Sequence, residues 1–340
     1  MDRVIDTVLI VGLGSIGKRH VEIISRNFPK VNIVVFRHQL CDQDQEESLP
    51  INKCTSSLDE AIALNPKAAI ISNPATKHII VAKKLAAHGV DLMIEKPISD
   101  NSRDSLELIN FCNQKNVLLT VAYNLRFLPS LTYFKQCIRS KIVGKVYSVR
   151  SEVGQYLPSW RPNTDYRSGV SARKAMGGGV LLELSHEIDY LQWVFGRANW
   201  VQAHTSKQSN LEIDVEDSAS IIFGIGGDAS VNTDLVASLN MDFIRHDTTR
   251  RCYAIGEKGT LMWDAISGEV KVFSQGQKSW EVLFQSLPER NYTYTQEIIS
   301  FFESVKSRAT PAVLAEDGAG VVRTIEAIKE SSRTGLKVFI

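Results

Sequence analysis

The chain has 340 residues, roughly twice a typical domain of about 150, so two domains are the default expectation and a large core can form. With 44% hydrophobic and 23% charged residues its composition is that of an ordinary globular protein, which excludes a disordered or fibrous chain. A balance of 39 basic against 38 acidic side chains leaves a net charge of +1, so nothing electrostatic calls for nucleic acid or a membrane surface, and a small-molecule partner fits better.

Between residues 7 and 122, short apolar runs alternate with helical patterns, as in βαβ units around a parallel sheet. Strands are expected at 7–11, 32–36, 68–71, 91–94 and 117–122, five in one sheet, with helices at 18–27, 58–64, 77–88 and 103–115. Ser57 with Glu60 offers a capping box, and Thr76 is the expected cap of the third helix. Beyond about Asn124 the rhythm changes to a helix, a glycine-containing strand, a long polar loop and a series of strands at 146–153, 201–205, 218–223, 229–235, 252–256, 260–263 and 270–273. Helices at 294–307 and 316–334 close the chain. The fold class is therefore α/β: an N-terminal domain with a parallel sheet (1–122), followed by an α+β domain with a large, open, mostly antiparallel sheet (123–340).

The five cysteines, Cys41, Cys54, Cys112, Cys137 and Cys252, are odd in number and widely spaced. They form neither a disulfide framework nor a zinc spacing, so reduced thiols and no metal are expected. The opening MDRVIDTVLIVGLG is neither a signal peptide nor a membrane span, which points to the cytoplasm.

Gly12-Leu13-Gly14-Ser15-Ile16-Gly17 follows the first strand and opens the first helix, the context that makes a glycine pattern a dinucleotide-binding fingerprint. Gly12 permits the tight turn, Gly14 lets the backbone approach a pyrophosphate, and Gly17 lets helix and sheet pack closely. The amides of Ser15, Ile16 and Gly17 at the helix N-terminus face the phosphates. About 20 positions on, where an NAD site places a carboxylate, this chain has Arg37 followed by His38. A guanidinium there suits the 2′-phosphate of NADP(H), so NADP(H) is the preferred cofactor and NAD(H) the second choice; the bland alternative is a solvated strand-end arginine.

Glu95-Lys96-Pro97 stands at the C-terminal end of a strand, where open α/β sheets bind ligands. Taken with Ser72-Asn73-Pro74-Ala75-Thr76-Lys77-His78, Tyr123-Asn124-Leu125-Arg126-Phe127 and Gly177-Gly178-Gly179…His186-Glu187-Ile188-Asp189, it resembles the Gfo/Idh/MocA family over essentially the whole chain. The resemblance implies a Rossmann domain whose nicotinamide lies against the open sheet of the second domain, and a sugar dehydrogenase or reductase acting on CH–OH. It implies cofactor contacts from Gly12, Gly14, Ser15, Ile16, Gly17, Arg37, His38, Asn73, Pro74, His78, Glu95, Lys96 and Asn124. His186 is then the proton donor or acceptor and Lys96 the group that steadies the reacting oxygen, because oxidising an alcohol removes a proton from oxygen as hydride leaves carbon. Without the resemblance, a surface lysine and a satisfied core histidine are the better readings.

The family commonly places an aspartate four residues before its histidine; here Leu182 holds that place and Glu183 lies three before, a spacing that keeps Glu183 and His186 on one helix face. Asp189, three after His186, is a second candidate to orient the imidazole. Arg126, Tyr156, Trp160, Arg161 and Tyr166 join Lys96 and His186 as candidate substrate contacts, since rings beside arginines suit sugar stacking and an anionic group. The loop from Gln155 to Arg167 suits a subunit contact equally well. It also looks similar to family members that make bacterial surface sugars. A non-catalytic dinucleotide-binding regulator and a lyase or glycosidase using NAD catalytically are the competing readings. The family's open sheet implies a homodimer or homotetramer.

Overall fold

The computed structural model describes residues 4–38, 49–161, 164–226 and 235–340. In chain order the elements are β1 (Thr7–Val11), α1 (Ser15–Asn27), β2 (Asn32–Phe36), β3 (Lys53–Thr55), α2 (Leu58–Ala63), β4 (Ala68–Ile71), α3 (His78–Ala87), β5 (Asp91–Glu95), α4 (Ser102–Gln114) and β6 (Leu119–Ala122). There follow α5 (Pro129–Arg139), β7 (Val146–Gly154), α6 (Val180–Glu183), α7 (His186–Phe195), β8 (Ala198–Ser206), β9 (Ser218–Ile225), β10 (Leu235–Asp242), β11 (Thr249–Gly256), β12 (Gly259–Asp264), β13 (Glu269–Ser274) and β14 (Glu281–Gln285). The chain closes with α8 (Tyr292–Ser307), α9 (Ala315–Thr334) and β15 (Val338–Phe339). Two compact units emerge, one formed by the chain up to Asn124 with Arg290–Ala319, the other by Leu125–Glu289 with Gly320–Ile340.

The first unit carries a parallel sheet in the order β3-β2-β1-β4-β5-β6. Among the described residues it has six strands rather than the expected five; β3 is a three-residue edge strand, too short for an apolar run to reveal. Strands such as β4 and β6 are buried at every position, as a sheet covered on both faces requires. The returning α8 adds Ile298, Phe301, Phe302 and Val305 to the core around Val21 and Ile24 of α1. Ser57 caps α2 by accepting from the Glu60 amide at 3.3 Å, and Asn101 caps α4 through the Asp104 amide at 2.8 Å. Thr76 caps nothing: it lies in a short turn, Ala75–Lys77, that leads into α3.

The second unit carries a nine-stranded sheet, β14-β13-β12-β11-β7-β10-β9-β8-β15, antiparallel at every ladder except β7 with β10. Of the strand expected at 229–235, residues 229–234 lie outside the described residues and Leu235 begins β10. In β10, buried Leu235, Ala237, Leu239 and Met241 alternate with exposed Val236 and Asn240, so one sheet face is core and the other is outward. Cys112, Cys137 and Cys252 are buried and Cys54 is half-buried, with no disulfide among the described residues; Cys41 lies outside them. Burial pushes Cys112 up to about 12 and Cys137 up to about 11, which makes both poor nucleophiles.

Candidate functional site

In the first unit the residues singled out from sequence fall at the C-terminal ends of neighbouring strands: Gly12 after β1, Arg37 after β2, Ser72 and Asn73 after β4, Glu95 and Lys96 at β5, and Asn124 after β6. This is the edge at which an open α/β sheet binds ligands, and the strand order reverses between β1 and β4. Gly12 has φ 90°, a conformation that favours glycine, and a Cβ on it would press on the Asn73 nitrogen at 3.0 Å. A Cβ on Gly17 would lie 2.2 Å from the Gly12 carbonyl oxygen, whereas one on Gly14 would meet nothing within 4 Å. The turn is therefore closed on its protein side and open beside Gly14. Among the described residues no side chain caps α1, and its first turn holds no acidic residue, so its N-terminal dipole faces the loop.

Ser72 Oγ braces the loop by donating toward the carbonyls of Val11 at 2.9 Å and Gly12 at 3.1 Å. Beside it the Asn73 side-chain amide is buried and, among the described residues, neither its nitrogen nor its oxygen has a hydrogen-bond partner, an arrangement that costs about 1–3 kcal/mol until a partner arrives. The open side of Gly14, the uncapped α1 terminus and this orphaned amide together fit a phosphate-bearing dinucleotide. Arg37 is half-exposed at the end of β2, its amide tied to the Thr55 carbonyl at 3.1 Å. His38 is exposed, its ring edge-on to Phe36. Pro74 is half-buried before the turn into α3. The buried Asn124 donates from Nδ2 to Thr293 Oγ1 at 2.9 Å.

His78 is 1% exposed, with Nδ1 3.1 Å from the Pro97 carbonyl and Nε2 2.7 Å from the Asn73 carbonyl, so it braces two loops. Burial holds its pKa below the usual histidine value against the opposing pull of those carbonyls and the Glu95 charge. Glu95 accepts from His20 Nε2 at 2.8 Å, a contact the sequence reading missed because His20 reads simply as part of the buried stripe of α1. The Lys96–Pro97 peptide bond is cis.

In the second unit Gly177 and Gly179 have φ 81° and 106°, and a Cβ on Gly178 would lie 2.3 Å from the Val170 carbonyl oxygen. This run turns the chain into α6, which ends at Glu183; α7 begins afresh at His186. Glu183 and His186 therefore belong to two helices and not to one helix face as expected, and Glu183 Oε2 accepts from Ser171 Oγ at 2.7 Å. Asp189 and Arg126 meet each other: Arg126 Nε donates to Oδ2 at 3.0 Å and Nη2 to Oδ1 at 2.6 Å, with both residues buried. This buried bidentate pair clamps Asp189 of α7 to Arg126, a structural contact that the sequence reading gave to neither residue. Missed from sequence is Glu187, wholly buried beside His186 with its Oε1 2.9 Å from Arg250 Nε. Burial raises its pKa although the Arg250 charge pulls the other way.

The segments after the parallel pair β7 and β10 leave the same sheet edge. There Tyr156 stacks on His246 with centroids 4.2 Å apart, and Trp160 meets Phe243 edge-on while its Nε1 donates to the Gln155 carbonyl at 3.2 Å. Tyr166 Oη accepts from the Glu212 amide at 3.2 Å, and Arg161 is exposed. Pro162 and Asn163 of this loop lie outside the described residues.

Two family models match, the GFO_IDH_MocA oxidoreductase family's NAD-binding Rossmann fold over residues 7–123 and its C-terminal alpha/beta domain over residues 135–340. The myo-inositol 2-dehydrogenase of Thermotoga maritima is 24% identical over 328 residues, covering 91% of each chain. Among solved structures, a levoglucosan dehydrogenase in complex with NADH superposes with a TM-score of 0.85 at 19% identity, over 98% of each chain. The WlbA dehydrogenase from Bordetella pertussis, in complex with NADH and UDP-GlcNAcA, gives 0.80 at 20% identity, again over 98% of each chain. At these identities the two structures share the fold with this chain.

Proposed function

Because the chain belongs to the Gfo/Idh/MocA oxidoreductase family, whose N-terminal domain is an NAD-binding Rossmann fold, we propose that it is an NAD(P)-dependent dehydrogenase or reductase acting on a hydroxyl or keto carbon of a sugar. The observation that carries this reading is the convergence of the glycine loop, the orphaned Asn73 amide and Lys96 on adjacent strand ends of one parallel sheet. A bound nicotinamide supplies hydride transfer. The chain's own part is to hold the reacting oxygen and manage its proton. Lys96 steadies partial negative charge on that oxygen, and His186, at the first position of α7, gives or takes the proton. Glu183 stands close in sequence as a further candidate for the proton's path. Activated and acidic sugars are the favoured substrates, since the segment after β7 carries Tyr156 and Trp160 with the exposed Arg161 next in the chain. The UDP-GlcNAcA held by the WlbA dehydrogenase supports that class.

Arg37, at the end of β2 with no carboxylate in the same strand, supports a preference for NADP(H) over NAD(H). A homo-oligomer formed through the outward sheet face is supported by Tyr147, Ile222, Val236 and Val282, all exposed there. Among the described residues no helix is long and apolar enough to cross a membrane, and we place the protein in the cytoplasm. The test is absorbance at 340 nm during incubation with each cofactor and a panel of free, acidic and nucleotide-linked sugars. Turnover of one panel member is the expected result. Cofactor binding with no redox change on any sugar makes the chain a sensor, and product without net redox change makes it a lyase or glycosidase.

A further inference from the structure

Two fully buried histidines from different helices close on the same strand-end tripeptide, Glu95-Lys96-Pro97. His20, on α1, reaches the Glu95 carboxylate at 2.8 Å, and His78, on α3, lies 3.1 Å from the Pro97 carbonyl; the two are 0% and 1% exposed. The Lys96 amide lies between them and donates to Glu95 Oε2 at 3.3 Å. The Glu95 carboxylate accepts, so Nε2 of His20 carries the hydrogen of that bond; among the described residues its buried Nδ1 has no hydrogen-bond partner, so Glu95 is the imidazole's polar anchor there. Tyr294 stands edge-on to His20 at 6.5 Å, with the Arg19 guanidinium 4.5 Å from its ring centre, so the imidazole is backed by a packed wall. His78 also faces the Asn73 carbonyl at 2.7 Å. Both helices start from the loops that border the dinucleotide edge, α1 from Gly12–Gly17 and α3 from Ser72–Lys77.

We propose that His20 and His78 are positioning residues that hold the backbone of Lys96 in place, one through the side chain before it and one through the carbonyl after it, and tie that place to the two loops flanking the cofactor. The inference rests on the catalytic reading of Lys96 given above. A lysine ammonium sits on a flexible four-carbon stem, so its aim depends on where the Cα is held, and a shift of about 1 Å at a reacting group costs on the order of a hundredfold in rate. Neither histidine touches substrate in this scheme.

The test uses the full-length protein and reads Lys96 directly. Acetylation by acetic anhydride, without sugar, is followed by peptide mass spectrometry, with the exposed Lys30 as internal reference. His20→Leu and His78→Leu are expected to change the Lys96-to-Lys30 labelling ratio by about threefold or more. They should also lower kcat about tenfold, with KM for the sugar identified in the panel within about threefold. His20→Gln, which keeps a donor for Glu95, should restore most of both. If a leucine variant does not fold, Glu95→Gln and His78→Gln take its place with the same readout. A native labelling ratio and native kcat in folded variants overturn the proposal. Should Lys96→Ala keep full turnover while the labelling ratio still moves, the positioning stands and the catalytic reading of Lys96 falls.

Discussion

Removing the Asp189 carboxylate separates the two roles this residue can have. Its oxygens accept from Arg126 Nε at 3.0 Å and Nη2 at 2.6 Å, and the two side chains are 1% and 6% exposed. Asp189→Ala therefore leaves a guanidinium in a dry site without this partner, a change that costs about 3–5 kcal/mol because the lost attraction is not repaid by hydration. In a folded unit of about 150–250 residues each kcal/mol moves Tm by about 2–4 °C, so a drop on the order of 10 °C is expected. Scanning calorimetry measures it, and turnover of the folded variant at 25 °C should stay within about threefold of native. The double variant Arg126→Met with Asp189→Leu should recover most of the loss, since an apolar pair of similar size removes the stranded charge. A native Tm with turnover reduced about a hundredfold would refute this reasoning and return Asp189 to the role of orienting His186.

Lys96→Ala and His186→Ala should each lower turnover about a hundredfold while circular dichroism and cofactor titration stay native. Arg37→Asp should shift the ratio of NADP to NAD dissociation constants by about tenfold or more toward NAD, measured by fluorescence titration; an unchanged ratio makes Arg37 a bystander. Gly17→Ala should abolish dinucleotide binding, because its Cβ would sit 2.2 Å from the Gly12 oxygen, while Gly14→Ala keeps the fold, as calorimetry will report. Burial depresses the His78 pKa below its unfolded value near 6.5, so the unfolded chain binds more protons below that pH. Stability should therefore fall as pH drops from 6.5 toward the lower folded value, and His78→Gln should flatten that part of a Tm-against-pH curve.

What the sequence by itself determined is what depends on local pattern. The runs TVLIV, NIVVF and AAII are strands with the bounds read from them, because β-branched and aliphatic residues between turn signals have one good solution in a buried parallel sheet. The glycine loop was legible because its spacing between a strand and a helix is itself a local pattern, and Gly17 answers to the backbone of Gly12 five residues away. Strand-end placement of Arg37 and Asn73 followed from those strands, and that of Lys96 from the apolar run at 91–94.

Tertiary structure decided what depends on contacts between distant residues. His20 meets Glu95 across 75 positions and Arg126 meets Asp189 across 63, and no spacing rule connects either pair. His78 sits in a motif that suggested a ligand contact, and only burial against the Asn73 and Pro97 carbonyls made it a brace. Glu183 and His186 were three apart, yet the break between α6 and α7 undid the helix face that the spacing implied. Helix α8 pattern-matches any amphipathic helix, and its return to the first unit rests on where Ile298, Phe301, Phe302 and Val305 find apolar surface to cover. A sequence specifies which side chains must leave water; which partner each one meets there is settled when the sheets and helices close around it.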